Sequence, residues 1–305
     1  MHQYTSSTVF TTTDVSAYKI PIWQIAIPRL AFRHDFVLHG ILGLSALHLK
    51  RVRPSTEKQD LLQIARFHQE AGLKSYIPQL SNISQANSHS LFAYAMIIGV
   101  AHIAQLTYTG PSSTPRVFIN DVVNAFKLLR GAVAIAVQGR EHLRQGPLAL
   151  MMVNEAPKGP PTLDAETRSA FEILKQHINM LAVGTNMDES DATLAESARD
   201  CYNGSIEQLE HLFERVPDTT PQLDSILRWT VFAHDAYLDH LLNQEPAALA
   251  IFAYYGVILD RLGRGFWWLQ GVGARLIDSI AKVLSEDWQT CLAWPIKEVA
   301  PRAYR

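Results

Sequence analysis

The sequence predicts an all-α fold, an irregular multi-helix bundle or short α-solenoid enclosing an apolar pocket, and three observations predict it. Apolar residues recur at helical spacing along most of the 305 residues. No stretch alternates apolar and polar residues with β-branched side chains between hairpin turns, so little or no sheet is expected. Hydrophobic residues make up 48% of the chain, enough to bury a sizeable core without disulfide staples.

The opening MHQYTSSTVFTTTD lacks the basic flank and apolar stretch of a secretory signal and reads as a polar N-terminal arm. Residues 36–49 place Val37, Leu38, Ile41, Leu42, Leu44, Ala46, Leu47 and Leu49 as a helix buried on most of its surface requires. Pro54 and Ser55 punctuate it, and Ser55 can cap an amphipathic helix over 56–80, which closes a helical hairpin. Helices follow at 87–107 and 115–139, separated by the turn Gly110, Pro111, Ser112, Ser113. The longest apolar run, 91–106, is short for a bilayer and carries His102, so it reads as a core helix and no membrane span is expected.

Residues 145–162 contain Gly146, Pro147, Pro157, Gly159, Pro160 and Pro161, a composition that resists both helix and strand. The chain is expected to be a single helical domain over 1–305, with this long loop between two helical halves. The second half predicts helices at 163–183, 191–216, 222–243, 246–262 and 265–284, with Pro246 suited to a first turn.

Charge narrows the partners. Lys and Arg total 27 against 29 Asp and Glu, so the formal charge of -2 offers no field to attract nucleic acid or an anionic membrane. Two cysteines, Cys201 and Cys291, are too few for a disulfide framework or a cysteine-rich metal site and read as reduced, buried thiols.

Three segments carry a resemblance. QYTSSTVFTTTD followed by IPRLAFRHDFVLHGILGLSALHL, then RFHQEAGLKSYIPQL, and near the other end PAALAIFAYYGVILDRLGRGFWWLQGVGARLIDSI with CLAWPIKEV, resemble the regulatory domain of fungal zinc-cluster transcription factors of the sterol-uptake regulator type. The likeness runs from about Tyr4 to Val299 and is strongest at the two ends. It implies an all-helical module that binds a sterol, with DNA contact assigned to a separate cluster of six cysteines holding two zinc ions. This sequence has no such cluster. It also has Val272 where the pattern WWLxGW would place a tryptophan. The resemblance therefore leaves open an excised ligand-binding domain or a complete protein without the DNA reader.

The expected ligand-binding residues are His39, Leu42, His102, Trp267 and Trp268. Phe266, Trp267, Trp268, Trp288 and Trp294 offer large rigid surfaces for a polycyclic apolar ligand, or equally for ordinary core packing. His39 and His48 share one helix but project to opposite sides, so they cannot ligate one metal together and read as satisfied core or boundary histidines. His102 is isolated in an apolar run. Asp235 and Asp239 lie one turn apart, which could hold Mg²⁺ through a diphosphate but reads more simply as a solvated acidic face. Gly271 and Gly273 fit a helix in close contact with a neighbour, and Lys50, Arg51 and Arg53 complement a helix C-terminus. No GxSxG elbow, HExxH, Walker loop or GxGxxG is present.

Two functions fit these residues. One is a hydrophobic small-molecule binding domain for a sterol-like or terpenoid ligand that shifts the domain between two packings. The other is a biosynthetic enzyme that holds a terpenoid or polyketide intermediate for a cofactor-free cyclisation or cycloaddition, a reaction that needs no nucleophile. Either way the expected partner is an apolar small molecule, with no metal, no cofactor, no direct nucleic acid contact, room for a homodimer and an intracellular location, cytoplasmic or nuclear.

Overall fold

The computed structural model describes residues 1–13, 19–53, 60–108, 113–152, 162–181, 189–215, 229 and 235–300. Every regular element among them is helical, as the periodicity predicts. The chain divides into two compact units. The first comprises Met1–Tyr108, Ala125–Ala156 and Arg264–Leu269, the second Thr109–Asn124, Pro157–Gly263 and Gln270–Arg305.

The first unit begins with a difference from the sequence reading. The polar arm is helical, a π turn at Tyr4–Thr8 running into Val9–Thr12, and it buries Tyr4, Thr8, Val9 and Thr12. Threonine hydroxyls turn back onto carbonyls of the preceding turn, Thr12 Oγ1 donating to Thr8 O at 2.7 Å and Thr8 Oγ1 to Gln3 O at 3.2 Å. With the hydroxyls satisfied locally, a polar-looking face can enter a core. Short helical pieces follow at Lys19–Pro21, Ile22–Ala26 and Ile27–Ala31.

Helix α1, Asp35–Val52, carries Asp35 in its first turn and Lys50 and Arg51 in its last, each complementing the macrodipole. Helix α2, Leu61–Tyr76, continues as a 3₁₀ turn at Ile77–Ser81; the cap expected at Ser55 lies outside the described residues. Helix α3, Ser88–Leu106, is the apolar run of the sequence and is buried along almost its whole length. α1 packs against both α2 and α3. Tyr94 sits at their junction, 5.5 Å edge-on to Phe36 and 4.6 Å from Tyr76 between ring centres. Burial pushes the Tyr76 phenol up to about 12. Helix α4, Pro115–Gln138, leads to a short helix at Arg140–Leu143 that packs on α3. Of the loop expected over 145–162, residues 149–152 form a 3₁₀ turn and 153–161 lie outside the described residues.

In the second unit Asp164 caps helix α5, Ala165–Leu181, its carboxylate accepting from the Thr167 backbone N–H at 2.9 Å and hydroxyl at 2.6 Å. Helices α6, Glu189–Arg215, α7, Asp235–Leu242, α8, Pro246–Gly263, α9, Val272–Val283, and α10, Gln289–Val299, complete it. Of the helix expected over 222–243, only Trp229 and the end from Asp235 fall within the described residues. α8 is the buried centre, in contact with all the others. The Tyr254 hydroxyl lies between the carbonyls of Ala170, at 2.9 Å, and Cys291, at 3.1 Å, and so ties α8 to α5 and α10. Just ahead of α8, Glu245 accepts from the Tyr202 hydroxyl at 2.6 Å and pairs with His240 Nδ1 at 2.8 Å, fastening α6 and α7 to the same helix start. Cys201 and Cys291 are both free thiols.

The helix expected over 265–284 starts later, at Val272. Residues 265–271 form turns, because Gly271 adopts the left-handed conformation at φ 78°, which a continuing α-helix excludes. Gly273 does sit in close helix contact: a Cβ there would fall 2.3 Å from the Gly256 carbonyl oxygen on α8. Both α3 and α8 are long and apolar enough to cross a membrane, and both are mostly buried within the protein.

Candidate functional site

The first unit contains a partly open groove of about 620 Å³. It follows from the amphipathic pattern of residues 22–33. Ile22, Trp23, Ile27 and Ala31 turn into the core, while Ile25, 47% exposed, and Phe32, 80% exposed, do not. Ile22, Ile25, Ala26, Leu30 and Phe32 form one apolar wall, joined by Pro147 and the half-exposed Leu150. Arg29 and Arg33 are the two charged lining residues among those described. Periodicity in 22–33 was the signal available in the sequence; the contribution of Pro147 and Leu150, more than a hundred residues away, had none.

The five residues expected at a ligand site do not line this groove. Trp268 is fully buried, stacked on Phe266 with 5.7 Å between ring centres, and its indole N–H donates to Thr12 O at 3.0 Å. Trp267 is half-buried and lies 5.1 Å from the His48 ring; its indole N–H has no hydrogen-bond partner among the described residues. Buried Tyr4 Oη and Trp23 Nε1 are in the same position. Leu42, on α1, and His102, on α3, are both half-buried.

His39 and His48 face different partners, in keeping with their angular separation. His48 Nδ1 lies 3.0 Å from Thr8 Oγ1 and its Nε2 3.3 Å from Thr11 Oγ1, so this ring, rather than His39, joins α1 to the N-terminal helix and to Trp267. His39 Nδ1 instead meets His68 Nδ1 of α2 at 2.8 Å, beside the exposed Phe67 ring. One nitrogen must donate and the other accept, so at least one of the two rings is neutral.

The burial of these rings predicts an acid sensitivity for the first unit. Burial lowers the pKa of His48, and burial together with the neighbouring His39 lowers that of His68, both from an ordinary 6.5. The folded state favours the neutral rings, so their contribution is complete above pH 6.5 and is lost as pH falls through the lowered values. Thermal melts followed by circular dichroism should show a falling midpoint from pH 7 to pH 5, flattened in a His48→Gln/His68→Gln variant. An unchanged slope in that variant would show that other groups set the acid response.

Among the described residues no three His, Cys, Asp or Glu side chains come together as metal ligands. Asp239 is exposed, the Asp235 side chain lies outside the described residues, and His240 is engaged with Glu245.

Residues 3–139, which include α1 to α3 and the groove's first wall, match the family described as the fungal specific transcription factor domain. The chain is related to fungal Zn(2)-C6-type regulators. It is 22% identical over 97% of its length to a Zn(2)-C6 fungal-type transcription factor of Gibberella zeae, covering 60% of that protein. It is 36% identical over 89% of its length to sterol uptake control protein 2 of Candida albicans, covering 38% of it. Against the protein of the same name in Saccharomyces cerevisiae it is 25% identical over 89% of its length and covers 28%. The chain thus spans less than two thirds of each of these relatives.

Proposed function

We propose that this chain is a regulatory-type binding domain for an apolar small molecule, sterol-like or terpenoid, and that the ligand occupies the groove of the first unit. The observation that carries the reading is the groove itself. Its volume of about 620 Å³ falls within the roughly 300–1,000 Å³ usual for small-molecule sites, and its described lining residues are apolar but for two arginines. Exposed Ile25, Phe32 and Leu150 would be covered by such a ligand, gaining the hydrophobic stabilisation they lack in the free protein. Similarity to proteins named for sterol uptake control supports the ligand class, and similarity to transcription factors supports a nuclear or cytoplasmic setting. Trp267 remains a candidate second contact, since a ligand oxygen within reach would satisfy its buried N–H.

Purified protein incubated with ergosterol or with farnesol, then desalted and examined by native mass spectrometry, should retain an unchanged ligand at one per chain. Phe32→Asp, placed at an exposed position that leaves the core intact, should weaken retention at least tenfold. Absence of retention, or retention equal in Phe32→Asp, would overturn the groove as the site. Recovery of a cyclised or rearranged product would overturn the binding role and establish an enzyme.

A further inference from the structure

We infer that the ligand of this groove is an apolar carboxylic acid, read by Arg29 and Arg33 as a pair. The inference rests on the groove being the ligand site and adds the chemistry of the ligand's polar end. Arg29 lies in the last turn of Ile27–Ala31 and Arg33 four residues on, in the turn that leads to α1. Both line the groove and both are exposed. Among the described residues no carboxylate lines the groove with them, and neither guanidinium has a hydrogen-bond or ion-pair partner. Asp35, the nearest acidic residue in sequence, sits in the first turn of α1, where the helix dipole favours it.

Two like charges one turn apart repel, and that repulsion is relieved when an anion lies between them. A guanidinium presents planar paired donors that match a carboxylate and, beside an apolar wall, is less strongly hydrated than an ammonium. The apolar body then lies along Ile25, Phe32 and Leu150 while the carboxylate meets the arginines. A neutral sterol or alcohol fills the same wall but leaves the charges unanswered.

The test compares two molecules with one body, farnesoate and farnesol, by isothermal titration with the full chain below the concentration at which either aggregates. Farnesoate should bind at least tenfold more tightly than farnesol, and the difference should shrink as salt is raised. Arg29→Gln/Arg33→Gln, with melting temperature checked against the parent, should lose that tenfold for farnesoate and leave farnesol unchanged. Equal binding of acid and alcohol by the parent chain would overturn the inference while leaving the groove as an apolar site. An acid preference that survives in the double variant would overturn it by placing anion recognition elsewhere. Binding of neither molecule would overturn the inference, and the groove reading falls with it only if ergosterol is not retained either. Association with phosphatidylglycerol vesicles in the absence of farnesoate binding would likewise overturn it, in favour of a lipid surface.

Discussion

Gly273→Ala lowers the thermal midpoint of the protein by roughly 6–12 °C, the expected consequence of about 3 kcal/mol of overpacking at a few degrees per kcal/mol. The added Cβ would lie 2.3 Å from Gly256 O, 2.4 Å from Asp260 N and 2.9 Å from Asp260 Cα. All three atoms are backbone of α8, so no side chain can rotate away, and α8 and α9 must separate. α8 is the centre of its unit, which spreads the cost to α5, α6 and α10. The matched control is Gly204→Ala in α6, where nothing lies within 4 Å of the new Cβ. There the substitution should be neutral or stabilise by up to about 1 kcal/mol, because alanine is the better helix former. Equal midpoints for the two variants, measured by calorimetry, would refute the close approach of α8 and α9.

Trp268→Ala should cost about 3–5 kcal/mol, the usual range for deleting a buried indole, and should also release the N-terminal helix. The indole is fully buried, stacks on Phe266 and donates to Thr12 O, the last residue of that helix. Trp268→Phe keeps most of the apolar volume but strands the Thr12 carbonyl, a loss of roughly 1–3 kcal/mol. Hydrogen exchange distinguishes anchoring from simple loss of core: amides of residues 4–12 should exchange faster in both variants, while those of α2 change less. Unaltered protection of residues 4–12 in Trp268→Phe would show that the indole bond does not hold the helix.

The long helices were legible because their signal is local. α1, α3, α4 and α8 each carry enough apolar residues at 3.6-residue spacing for burial to be read without knowing the neighbour, and their observed bounds fall within about three residues of the expected ones. The misreadings share a different cause. Residues 4–12 look solvated because threonine is polar, yet back-bonding to carbonyls leaves Thr8 and Thr12 fit for burial. Residues 265–271 mimic a helix because Phe266, Trp267, Trp268 and Leu269 form an apolar run, and only the left-handed Gly271 shows where the helix begins. α10 drew no expectation from periodicity; it contains Pro295, which local propensity counts against a helix, but the flanking Cys291, Leu292 and Trp294 are buried and outweigh it.

By itself the sequence determined the helical class and the long helices, since each depends on residues close together in the chain. Tertiary structure alone decided that His48 rather than His39 meets Trp267, that Pro147 and Leu150 join Ile25 and Phe32 around a groove, and that Arg29 and Arg33 line it together. Those outcomes depend on which surfaces meet across tens or hundreds of residues, and hydrophobic burial, being non-directional, specifies that a helix face is covered without specifying by what.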